Sequence, residues 1–334
     1  MRRLSAIALA LMMALPAMAQ VTYSATVASM IGQVSQTALT SDLNGLTGVT
    51  AITVGGSSYT ITSRATDSGT PITKATQWMY ERCQAAGLTA SYQNWSDRGY
   101  SSRNVICTKA GTTKATEIIT LTAHIDATPP GSDDNASGSV LVINLAEIMA
   151  SHTFERTLRY ILVTGEEQAE LGSTAYVASL GSDNIYADIN FDVVAYDANA
   201  DNKFSVITGG GLSEHTGTAT EIAIATLVGN VVSTYSLGLT EVSGDIMVTP
   251  GALDTWPFWN AGKTAVSFLE DVNELSPYMN GSGDSVSTLN LPYYTKVVKT
   301  ALGTAAHLAL PADAATNRNT ISGSVRIGGG VTMQ

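Results

Sequence analysis

Residues 117–167 read "EIITLTAHIDATPPGSDDNASGSVLVINLAEIMASHTFERTLRYILVTGEE". The run 117–125 is apolar and rich in β-branched residues, so it reads as a strand. "GSVLVINLAEIMASH" (138–152) reads as a helix, and "TLRYILVTGEE" (157–167) as a buried strand that ends in acids. The alternation continues outward. "NVICTKA" (104–110) precedes it as a strand. A helix at 173–180, strands at 188–196 and 203–209, a helix at 218–235, a strand at 263–271 and a helix at 291–310 follow. Upstream, 20–46 looks helical, 47–69 reads as a loop or hairpin, and "TPITKATQWMYERCQAAGL" (70–88) has helical spacing with Gly87 as its C-cap. Strands alternating with helices predict a single α/β domain. Its mixed, mostly parallel central sheet would be covered by helices on both faces.

The chain begins "MRRLSAIALALMMALPAMAQ". Arg2 and Arg3, the short apolar run Leu4 to Leu15 and "AMA" at 17–19 have the form of an export leader. The apolar run is shorter than the roughly 20 residues a membrane anchor needs. The expectation is a leader over 1–19, one catalytic domain over 20–310 and an unassigned tail over 311–334, in a soluble protein that is periplasmic or extracellular. With 17 basic against 28 acidic residues the net charge is -11. Such a surface repels nucleic acid and anionic lipid, so neither is an expected partner. Cys83 and Cys107 are the two cysteines. In an exported chain an even pair reads as a disulfide, with two buried thiols as the alternative.

In open α/β sheets, ligands bind beyond the carboxyl ends of strands. Acidic groups collect at those ends here. His124 and Asp126 close one strand, Glu166 and Glu167 another, Asp192 lies in a third, and Glu270 and Asp271 close a fourth. Asp133 and Asp134 stand just before the helix at Gly138. Gathered carboxylates repel each other and need a cation. Carboxylate with imidazole points to zinc first, with cobalt or manganese as alternatives.

The order "HID", "DDNASG", "GEEQAELGS", "INFD" closely resembles the secreted co-catalytic zinc aminopeptidases, the bacterial leucyl aminopeptidase type of zinc exopeptidase. The resemblance runs from about residue 23 to 310. It implies a monomeric α/β enzyme that binds two zinc ions and removes residues from peptide and protein N-termini. It also implies roles. His124 and Asp192 would hold one metal, Asp133 would bridge to a second with its bond to Asp134 in cis, and Glu167 would hold the second. Glu166 would be the general base, and Asp126 would orient His124 from behind.

Two places depart from the family pattern. The family's last ligand is a histidine in a late loop, and in "ELSPYMNGSGDSVSTLN" (274–290) that position falls on Asn280, a neutral amide oxygen and a weaker zinc donor. His152 and His307 read as structural, and His215 as a cap or surface residue or else a substitute ligand. Where the family has Ser-Asp-His, this chain has Leu253, Asp254 and Thr255. Asn280 favours a second reading, a catalytically silent metal- or peptide-binding relative, and a carboxypeptidase or amidase on the same scaffold is a third. Trp256, Phe258, Trp259, Tyr278 and Met279 are candidates to line an apolar pocket for the substrate's first side chain, or to be ordinary core.

Overall fold

A computed structural model of the chain describes residues 21–209, 214–242 and 252–312. The leader expected over 1–19 and all but the first residues of the tail lie outside the described residues.

The centre of the sheet follows from the quoted stretch. Strand β5 (Lys114–His124) is buried over its last seven residues, the mark of a strand covered on both sides. Its side chains alternate between two cores. Leu121 and Ala123 face one together with Tyr160 and Leu162 of β6 (Arg156–Val163), while Ile118 faces the other with Ile161 and Val163. β5 pairs parallel with β6 on one side and with β7 (Asn184–Phe191) on the other. Helix α4 (Gly138–Ala150) joins β5 to β6 on the first face. Helix α5 (Leu171–Ala178) carries the chain from β6 past β5 to β7, on the opposite face, where Tyr176 packs near Phe258. The carboxyl ends of β6, β5 and β7 therefore flank the point where the connections part to opposite faces, the place such sheets reserve for ligands.

The remaining strands extend this centre. β10 (Ala265–Glu270) pairs parallel with β7 and antiparallel with β8 (Lys203–Ile207), and β9 (Thr240–Val242) closes that edge. At the other edge β4 (Tyr100–Lys109) runs antiparallel to β6 and to β3 (Thr89–Asp97). The eight strands thus form one mixed sheet in the order β3-β4-β6-β5-β7-β10-β8-β9. A two-stranded hairpin, β1 (Ile52–Val54) and β2 (Ser57–Tyr59), stands apart.

Three expectations are refined. The helical region at 20–46 is two helices, α1 (Ala25–Gly32) and α2 (Gln36–Leu46), because Ser24 and Ser35 each cap a new start. The strand expected to run to Glu167 stops at Val163, and Gly165 at φ 83 turns the acids into a short helical turn over 166–168. β3 was not foreseen. Only Trp95 of its nine residues is fully buried, as befits an edge strand with a weak hydrophobic pattern. Helix α3 (Thr70–Ala85) carries Pro71 in its first turn and is tied to β4 by the Cys83–Cys107 disulfide. In the chain-entropy account, closing a loop of that 24-residue separation stabilises by about 3 kcal/mol. Helices α6 (Ala219–Thr234), α7 (Thr255–Asn260) and α8 (Leu291–Ala309) complete the cover, and α8 is buried along most of its length.

Candidate metal centre

Four neighbouring parallel strands deliver side chains to one edge. β5 ends on His124, β7 ends one residue before Asp192, β6 leads through Gly165 to Glu166, and β10 ends on Glu270. His124, Asp134 and Asp192 are all buried, and one donor atom from each lies within 4.8 Å of the others. His124 Nε2 is 3.2 Å from Asp192 Oδ1, 3.3 Å from Asp134 Oδ1 and 3.9 Å from Glu166 Oε2. Its Nδ1 lies 3.0 Å from the main-chain oxygen of Asp126. A carbonyl only accepts, so Nδ1 carries the hydrogen and neutral His124 aims the Nε2 lone pair at the carboxylates.

A lone pair beside two carboxylate oxygens is stable only with a positive charge among them. Burial alone would depress His124, but the charges of Asp192 and Glu166 and hydrogen bonds to Asp134 and Asp192 outweigh it and hold the imidazole well above its usual range. Burial pushes Glu166 well up and raises Asp192, with His124 opposing in both. Burial also takes Asp254 up to about 8; Ser173 Oγ donates to it at 2.5 Å, and its second oxygen has no partner among the described residues. One imidazole nitrogen and two carboxylate oxygens, buried and convergent, form a donor set suited to a zinc-like ion.

The expected bridging position is corrected. Asp133 turns away from His124. Its Oδ1 accepts from Ala195 N at 2.9 Å, and its carboxyl group also interacts with that of Glu270. Burial raises both acids. Glu270 also faces the charge of Asp133 and keeps the proton that it donates to it. Asp134, expected behind the ligands, stands in the ligand position instead. The cis bond falls between Asp134 and Asn135, one residue later than expected.

What fixes this register is a loop with no slack. Asp284 accepts from Asp133 N at 2.8 Å and from Asp134 N at 2.9 Å through its two oxygens. Asn135 bridges Phe191 O and Gly138 N at 2.8 and 2.7 Å. Gly131, at φ 62, passes so close to its neighbours that a Cβ there would sit 2.4 Å from Ala127 Cβ and 2.5 Å from Asp134 O. Arg64 is buried beneath and donates to the main-chain oxygens of Ile125, Leu46, Pro130 and Gly131. Neither Arg64 nor Asp284 was singled out from sequence. The only signal for Arg64 is a cation in an acidic chain, and Asp284 is one acid in a polar loop.

The Glu166–Glu167 turn hangs on Asp126, whose carboxylate accepts from Glu166 N and Glu167 N at 3.4 and 3.3 Å and from Thr66 Oγ1 at 2.7 Å. Glu167 is not in the buried trio. Its carboxylate accepts from Thr128 N at 2.8 Å at the rim, and burial followed by the charge of Asp134 raises it. Asn280 is exposed at φ 57. His215 stacks on Trp259 with ring centres 4.4 Å apart and meets Glu221 at 2.9 Å, so it belongs to the α6 cap and not to the metal trio. Phe258 and Trp259 are core residues, whereas Trp256, Tyr278 and Met279 keep solvent exposure.

Residues 104–305, more than half of the chain, match Peptidase family M28, and the chain belongs to that family. Over 199 residues it is 27% identical to aminopeptidase YwaD of Bacillus subtilis, covering 57% of this chain and 41% of YwaD. Over 252 residues it is 24% identical to a probable leucine aminopeptidase of Trichophyton verrucosum, covering 69% of this chain and 65% of the relative. The chain thus spans well under half of YwaD's length and just under two thirds of the fungal protein's. The LapA aminopeptidase of Legionella pneumophila superposes with a TM-score of 0.70 at 20% identity, over 87% of this chain and 75% of that one. An aminopeptidase from Aneurinibacillus superposes with a TM-score of 0.67 at 13% identity, over 85% and 96%. At these identities the superpositions speak for the fold.

Proposed function

We propose that this protein is an exported, zinc-dependent aminopeptidase that removes N-terminal residues from peptides and proteins. The observation that carries the reading is the convergence of His124, Asp134 and Asp192 with Glu166 3.9 Å from the shared nitrogen, in a chain of an M28 peptidase family whose relatives are named aminopeptidases.

His124 Nε2 and the carboxylates of Asp134 and Asp192 would hold one zinc ion. Glu167, with Asn280 in place of an imidazole, would make a second site weaker. When bound, zinc supplies Lewis acidity at the scissile carbonyl and acidifies water. The protein's own part is proton handling. Glu166 Oε2 takes the proton from the attacking water and returns it to the leaving amine. Asp126 fixes the turn that aims Glu166, and the carbonyl of Asp126 fixes the His124 tautomer.

Export rests on the leader-like residues 1–19, ahead of a domain spanning 20–310. Among the described residues no helix is long and apolar enough to cross a membrane. The test is Glu166→Gln assayed on leucine p-nitroanilide with zinc content measured in parallel. The variant should keep its zinc and lose at least about 10²-fold in kcat, the scale of a general base. Undiminished turnover would contradict the reading, and an intact wild type that is inactive with zinc, cobalt or manganese would favour the silent binding relative that Asn280 suggests.

A further inference from the structure

A cleft of about 720 Å³ opens beside the metal centre, between the first turns of α3 and the adjoining ends of β3 and β4. Its position follows from register. β4 is antiparallel to β6 with Val105 opposite Leu162, so Ser101, Ser102 and Arg103 run on past the end of β6, on the same sheet edge as Glu166. Two of its walls are shared with the catalytic turn. Trp95 donates from its indole nitrogen to Thr164 Oγ1 at 3.0 Å, and its ring covers Gly165, where a Cβ would lie 2.6 Å from Trp95 Cζ2. Thr66 lines the cleft and donates to Asp126, the residue that carries the Glu166–Glu167 turn.

The lining is chemically consistent. Asn94 and Ser101 offer groups that both donate and accept, and the hydroxyl oxygens of Thr66 and Thr73, whose hydrogens go to Asp126 and Gly69 O, accept. Arg103 adds a cation, and exposed Asp67 adds the one carboxylate at the rim. Arg103 is pre-set: Nε donates to Thr76 Oγ1 at 2.9 Å, Nη2 to Thr73 O at 2.8 Å, and the guanidinium lies 3.8 Å over the Tyr92 ring. That leaves Nη1 for a ligand oxygen at little further loss of side-chain freedom. Donors and acceptors beside a fixed donor suit the main-chain amides of an extended peptide, and the volume is within the range of ligand sites.

We propose that this cleft binds the part of a peptide substrate downstream of the scissile bond, so that long peptides are preferred over amino-acid anilides. The inference rests on the aminopeptidase reading above. The test compares kcat/KM for leucine p-nitroanilide with that for leucyl peptides of two to six residues, in the wild type and in Asn94→Trp and Ser101→Trp. Both substitutions are at exposed positions on the cleft, so either one folding suffices. The ratio of hexapeptide to dipeptide kcat/KM should be about tenfold in the wild type, the worth of one or two hydrogen bonds, and should fall towards one in the variants. A wild-type ratio near one, or a tenfold ratio kept in both variants, overturns the subsite. Failure of the wild type to turn over any of these substrates overturns the aminopeptidase reading itself, and the subsite with it.

Discussion

Asp133 and Asp134 are neighbours in sequence with opposite duties. One locks the loop to Ala195 and Glu270, and the other faces His124. Which acid takes which duty depends on the backbone direction that Asp284, 150 residues away, imposes on the two amides. Composition and spacing made the acidic cluster legible, but nothing local in "SDDNAS" says which carboxylate turns inward. Asn280 is the other residue on which the account turns. It occupies the left-handed region, where histidine is also tolerated, so Asn280→His introduces an imidazole without new backbone strain. Zinc per chain, measured by elemental analysis, should rise from one towards two in this variant. An unchanged stoichiometry would show that Asn280 does not stand at the second site.

The strands at the centre were legible because they are buried on both faces and need continuous apolar sequence, as in "IITLTAHI". β3 was not, because an edge strand can be polar. The turn of Glu166 was hidden behind a run that looked like strand to its end. Inside β7, Asp188 is an element-scale anomaly. It is fully buried, accepts from the Thr120 hydroxyl at 2.6 Å and from that of Thr122, and leaves its second oxygen without a partner among the described residues. Burial takes its pKa from 3.8 up to about 7. Below 3.8 both folded and unfolded chains hold the proton, so stability from this group is fully present. Between there and about 7 only the folded chain holds it, so stability falls as pH rises, by on the order of 4 kcal/mol in all. Asp188→Asn mimics the neutral acid and keeps an oxygen for both threonines. Its Tm should be close to the wild type's at pH 4 and several degrees higher at pH 8. A difference in Tm that does not change with pH would mean that Asp188 titrates alike in both states.

At the scale of the molecule, the sheet does the assembling. Four parallel strands end at one edge, and the loops that leave them bring together residues from 124 to 284 in the sequence. That much follows from alternating strands and helices with acids at strand ends. The clamps that give the site its shape, Arg64 under the loop and Asp284 above it, come from remote segments and carry no local pattern. If His124, Asp134 and Asp192 hold one cation within reach of Glu166, crystals grown with zinc and measured on both sides of its absorption edge should show an anomalous peak in contact with His124 Nε2 and the carboxylates of Asp134 and Asp192. No peak there, or one ligated by Asp133 in place of Asp134, would contradict that assignment.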